Sequence, residues 1–310
     1  MGQGILIAAV AAVALGAAPA AAPAAPPPNV PWPQLLPALP SKGGPAPPVD
    51  GCRRATLACV DRVIARLDAI REGFGCDHRA VFALTYERLT QVIRETLVND
   101  PHFFHYRAWL IKLDVEFANF YFATLANDAA GRPIPPAWRI AFDAARAGDY
   151  VGDQDLVAGI NAHVQNDMAF AEAILGLRTA GGATRKPDHD AMNQVLANAY
   201  ERIVDEVAAR FDPLVGTVNS PLTPLDDVAG LELVKGWREG VWRNAERLVA
   251  ARSDAERAQI ASQIQTNAAL WAQGIFASPL PGYRATRDAY CTTRNDTRTP
   301  LPPAGVAVNR

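Results

Sequence analysis

The stretch Gly159-Ile160-Asn161-Ala162-His163-Val164-Gln165-Asn166-Asp167-Met168 sets an imidazole and a carboxylate four residues apart. On a helix each residue turns about 100°, so such a pair shares one face, a single turn apart. With His163 as the reference direction, Leu156, Ile160, Val164, Met168 and Ile174 fall in the same arc, while Gln165 and Asn166 point away. Both polar groups are therefore aimed at the core. An unpaired charge there costs several kcal/mol, so each needs a counterion, a water-filled pocket or a metal.

Three further segments can supply partners. In Arg107–Leu125, Asp114 lies inside an apolar arc with Leu110, Phe117 and Tyr121, whereas Lys112, Glu116 and Asn119 lie opposite. Around Leu231–Val249, Arg238 shares the arc of Val234, Trp237, Val241 and Trp242, with Glu239 and Arg243 outward. The segment Asp77–Asn99 offers Tyr86 and Thr90 beside Phe82, Leu89 and Ile93.

Two chemistries suit these groups. His163, Asp167 and Asp114 could ligate a divalent metal such as zinc, whose bound water would attack an ester or phosphoester. Without metal, His163 would act as a general base oriented by Asp114 or Asp167, and Arg238 would stabilise developing negative charge. The expected catalytic set is therefore His163, Asp167, Asp114 and Arg238, with Asn161, Tyr86, Tyr121 and Trp237 as substrate contacts. Against this stands a buried ion-pair network with no ligand. A third reading is a non-catalytic bundle whose cavity holds a lipid or other hydrophobic molecule.

The remaining histidines read more simply. His102 and His105 have a chelating spacing, but at a helix start among aromatics they are expected to pack or cap. His78 and His189 each follow an aspartate at a helix start and are expected at the surface.

The elements that position these groups are all helical. Apolar periodicity recurs near residues 54–72, 77–98, 103–126, 135–147, 153–179, 188–211, 228–251 and 254–276, and no alternating strand pattern occurs. One compact all-α bundle of about eight helices follows, over residues 51–294. Asp77, Asp188 and the pair Ser253 and Glu256 mark helix starts. The irregular stretch 212–224, rich in proline, is expected to cross over and rim a pocket.

With 310 residues, 49% of them hydrophobic, and a net charge of −2, the chain can fill a sizeable core and offers no electrostatic case for nucleic acid. It has no phosphate-binding glycine loop, no Gly-x-Ser-x-Gly elbow and no Cys-x-x-Cys. Residues 1–20 read as an export signal, an apolar run ending in Ala18-Pro19-Ala20, and residues 21–50 as an Ala/Pro-rich leader without a core. Residues 295–310 read as a loose tail. No other run is long enough to span a membrane, so an exported protein, periplasmic or secreted, is expected. Four cysteines then favour two disulfides, with Cys52–Cys59 and Cys76–Cys291 the first choice among three pairings.

Several segments together carry a resemblance: Leu113-Asp114-Val115-x-Phe117-Ala118, Pro136-Ala137-Trp138, Gly159-Ile160-Asn161-Ala162-His163-Val164-x-Asn166-Asp167, and Trp237-Arg238-x-x-x-Trp242-x-Asn244. They resemble the bacterial domain-of-unknown-function family 5995 over roughly residues 82–248. That resemblance implies a compact helical domain and brings no established reaction. The inward His-x-x-x-Asp pair is also similar to one in zinc-dependent phospholipase C and related nucleases, which implies metal-assisted phosphoester hydrolysis.

Overall fold

The structure, a computed structural model, describes residues 49–215 and 227–295. The expected signal segment, most of the Ala/Pro leader, the centre of the irregular crossover and nearly all of the tail lie outside these residues.

Among the described residues the fold is all-α, with nine helices and no strand. They are α1 (Leu57–Phe74), α2 (Arg79–Asn99), α3 (Arg107–Ala129) and α4 (Pro136–Ala147), followed by the long α5. Helix α5 runs as Gly152–Asn161, continues as π-helix over Ala162–Met168, and resumes as Ala169–Leu175. Then come α6 (Lys186–Arg210), α7 (Asp227–Ala250), α8 (Asp254–Ile275) and α9 (Tyr283–Arg294). Eight agree with the periodicity to within a few residues. The ninth, α9, lies in a stretch whose short length and polar composition gave no core-facing signal.

Helix α5 is the axis of the molecule. Its π-helical segment is packed by α3, α4, α7 and α8 together, so every residue of it but the half-buried Val164 is buried. This corrects the expectation for Gln165 and Asn166, which are buried. Gln165 donates to Asn161 Oδ1 (2.6 Å) and accepts from Asn267 Nδ2 on α8 (2.8 Å), while Asn161 donates to the Ala268 carbonyl (2.9 Å). An amide ladder thus ties α5 to α8. At its start, α5 receives the Asp212 carboxylate on Gly152 N–H (2.7 Å), an anion placed at a helix N-terminus by a residue 60 positions away.

Helix starts follow local chemistry with one exchange. Asp77 accepts from Arg79 N–H (2.9 Å), and Ser253 accepts from Glu256 N–H (3.1 Å). Asp188 does not cap its own helix. It is fully buried and accepts the Tyr106 and His105 N–H groups (2.6 and 2.8 Å) at the entrance to α3.

Both disulfides join the expected partners. Cys52 precedes α1 and pairs with Cys59 in its first turn, while Cys76 pairs with Cys291 on α9 across 215 residues. Closing a loop that long removes unfolded-state entropy worth about 5 kcal/mol in the chain-entropy account. Val49, assigned to the leader by composition, is buried in the core beside this first disulfide.

Candidate functional site

His163 and Asp167 meet as the spacing requires. An α-helical step leaves residues i and i+4 about 40° apart, and the wider turn of the π-helix brings them closer to alignment. His163 Nδ1–H donates to Asp167 Oδ2 (2.9 Å). The same oxygen accepts the Trp138 indole N–H from α4 (2.9 Å), and Oδ1 accepts from Asn166 Nδ2 (2.6 Å). Three N–H donors thus converge on one carboxylate. Burial in turn holds the His163 imidazole below its ordinary value, against the raising effect of Asp167. The pair is therefore a neutral imidazole with its Nδ1 proton committed and a lone pair on Nε2.

That Nε2 is buried and has no hydrogen-bond partner. The ring is fixed in direction by Phe117, which stacks on it at 3.5 Å between centroids and 9° between planes, and by edge contacts from Tyr86 (4.7 Å) and Phe82 (5.7 Å). Phe82 can approach because position 159 is glycine. A Cβ there would stand 2.4 Å from the Phe82 ring.

His163 forms part of the wall of a narrow cavity of about 80 Å³ between α2, α3, α5, α6 and α7. Its other walls include Phe82, Leu156, Ile160, Leu196 and Ile203, so the lining is almost wholly apolar. Tyr86 also lines it, and its hydroxyl is buried without a partner. Burial, with the nearby Asp114 and Asp167 charges adding to it, pushes the Tyr86 phenol well up, so it stays a donor. Asp114 lies near enough to act on that phenol electrostatically. Desolvation alone pushes its carboxyl up to about 7, and its Oδ2 has no partner. Tyr121 completes the aromatic cluster, stacked on Trp138 (5.2 Å), with its own hydroxyl unpartnered.

Arg238 is placed elsewhere. Its Nε donates to Asn193 Oδ1 (2.8 Å), its Nη2 to the His189 carbonyl, and its Nη1 lies 3.3 Å from Met168 Sδ. No ion pair joins it to Asp114 or Asp167 among the described residues. It belongs instead to a second cluster with Glu172 and His189, where burial holds its guanidinium below its ordinary value and Glu172 opposes that. A helical projection gives a direction about one axis, and α7 packs against α5, α6 and α8.

Two expected substrate contacts are likewise structural. Asn161 is used up in the ladder to α8, and Trp237 packs edge-on against Trp271 (5.3 Å). The expected metal set is not assembled: among the described residues no three His, Cys, Asp or Glu side chains stand where they could hold a metal ion. His163 Nδ1 and both Asp167 oxygens are already engaged.

His78 and His189, expected at the surface, are buried. Each is paired through Nδ1 with a carboxylate, His78 with Asp155 (2.6 Å) and His189 with Glu172. His102 and His105 are exposed; the His105 ring stands 3.5 Å from Asp188 Oδ1 beside Tyr106, and their backbone N–H groups are accepted by Asp100 and Asp188. Trp138 and Asn166 had been given no role. For Trp138 a signal existed, since a tryptophan on the buried face of a helix needs a partner for its N–H.

The model of a family of unknown function, DUF5995, matches residues 60–278. The chain belongs to this family. The match contains every residue of the His163 site. Comparison with curated proteins and with solved structures gives no match to either.

Proposed function

We propose that this DUF5995 chain is a metal-free acid–base hydrolase acting on an apolar substrate that carries one carbonyl group. The observation that carries the reading is His163 Nε2, a buried lone pair on the wall of an apolar cavity, with the opposite nitrogen locked to Asp167. A base aimed by a carboxylate is the arrangement that general-base catalysis needs.

In this reading a water gives its proton to His163 Nε2 as its oxygen attacks the carbonyl carbon. The Tyr86 hydroxyl donates to the carbonyl oxygen as negative charge develops there. Asp167 stabilises the imidazolium that forms. The C–O bond then breaks, and the leaving oxygen takes the proton back from Nε2. The apolar walls select an acyl or similar chain and strengthen each of these polar interactions by excluding bulk water.

Turnover of p-nitrophenyl esters of increasing acyl length tests this. The ratio kcat/KM should rise with chain length, and His163→Gln should lower it about 10²–10⁴-fold with the melting temperature little changed. Equal rates for the two proteins would end the enzyme reading. A second reading, a carrier for a hydrophobic molecule, is favoured by the scarcity of polar groups along the cavity. It predicts displacement of a bound fluorescent fatty acid without any turnover. Export of the chain belongs to the same proposal, supported by two disulfides and by the absence, among the described residues, of a helix long and apolar enough to cross a membrane.

A further inference from the structure

A second cleft, of about 390 Å³, lies between the α1–α2 turn, the end of α4 and helix α9. Its walls include Asp77, His78, Arg146, Arg284, Asp288 and Thr292 and are polar where the His163 cavity is apolar. His78 contributes a side chain only 4% exposed. Its Nδ1 is held by Asp155, and its Nε2 has no hydrogen-bond partner, with Asp288 Oδ1 at 3.9 Å.

The charges around the cleft are unequally committed. Asp77 is spent on Arg79, whose backbone N–H and Nε reach Oδ1 and whose Nη2 reaches Oδ2. Arg146 is spent on Asp143 and Asp128. Arg284 is held more loosely: its Nη1 donates to the carbonyls of Arg146 and Ala147 (3.2 and 3.4 Å), and its Nε stands 3.5 Å from Asp288 Oδ2. Beside it, fully buried Arg287 keeps Nε and Nη2 without partners. His78, Arg284 and Arg287 thus surround the single carboxylate of Asp288 at 3.9, 3.5 and 3.2 Å, distances at or beyond the limit of a good hydrogen bond. The Arg284 stem lies against Gly148, where a Cβ would stand 2.7 Å from its Cδ, so glycine at that position leaves room for the stem to cross beside the cleft.

We infer that this cleft is a binding site for a small oxyanion, a carboxylate or phosphate group clamped between His78 and Arg284. His78, held from behind at Nδ1 by Asp155, donates to the ligand in front through Nε2–H. Asp288 holds the donors loosely in the ligand's absence and competes with it. The site shares no residue with the His163 cavity, so it stands apart from the hydrolase reading.

The test follows the His78 ring resonances by NMR in the full, disulfide-bonded chain, titrated separately with inorganic phosphate and with acetate. Saturable shifts of His78 at millimolar anion are expected, and whichever anion binds tighter assigns the group. Arg284→Gln, an exposed position that should not disturb folding, should weaken binding about tenfold, and Asp288→Asn should tighten it several-fold. His163→Gln should leave it unchanged. Absence of shifts with both anions in the wild-type and Asp288→Asn proteins, or shifts indifferent to Arg284→Gln, would overturn the inference.

Discussion

Helix α5 takes part in two imidazole–carboxylate pairs, His163–Asp167 within itself and Glu172 with His189 of α6, and they hold their protons in opposite places. At one, His163 Nδ1–H donates to Asp167, which also accepts from Trp138 and Asn166, and Nε2 is a buried lone pair without a partner. At the other, His189 Nε2–H donates to the Arg238 carbonyl (3.0 Å), which leaves Nδ1 as the acceptor facing Glu172. Burial pushes the Glu172 carboxyl up to about 8 and the His189 imidazole well down. The consistent arrangement is a carboxylic acid donating to a neutral imidazole. The residue types are nearly the same. What separates a poised base from a sealed strut is the number of N–H donors on the carboxylate and the fate of the second ring nitrogen.

This contrast can be broken most sharply at Asp167. Asp167→Asn would set an amide N–H against the donors of Trp138 or His163 and release the ring, so ester turnover should fall about 10³–10⁴-fold. An activity within tenfold of wild type would remove the pair from the chemistry.

The next effect is expected at Asp114, a buried carboxyl whose Oδ2 has no hydrogen-bond partner. Between its ordinary value of 3.8 and about 7, the unfolded chain loses that proton while the folded chain keeps it. Stability should therefore fall as pH rises through this window and level off above it. Asp114→Asn removes this contribution to the decline and should stabilise the fold above pH 7 by on the order of 4 kcal/mol. Urea midpoints of the two proteins at several pH values measure the difference, and parallel profiles would refute it.

The smallest effect sharpens the comparison from the other side. Glu172→Gln replaces a donating acid by a donating amide of the same shape and removes a carboxyl that only the unfolded chain ionises at pH 7, so its unfolding free energy should rise there by about 1–3 kcal/mol. A loss of several kcal/mol would show that Glu172 is ionised and that the two pairs are alike.

The His163–Asp167 pair was legible in the sequence because both partners lie on one helix and periodicity fixes their common face. His78–Asp155 and His189–Glu172 were not, since each joins different elements. An aspartate followed by a histidine at a helix start reads as a solvated terminus, and only the packing of other helices decides otherwise. Asp188 shows the same effect, buried to serve the entrance of α3. The helices themselves were readable from apolar spacing, except α9, whose two buried residues, Arg287 and Cys291, give a periodicity nothing to register. Arg238 shows where helical periodicity stops deciding contacts. Its inward direction was right, and its neighbour could be named only once α6 and α7 were placed.

The Cys76–Cys291 bond makes residues 76–291 a covalent ring. One peptide cleavage anywhere within it opens the ring without dividing the molecule, so both site-bearing halves stay attached. Such nicked protein would run as a single species on a denaturing gel until a thiol is added, and it would still hold its helices close enough to re-form their contacts.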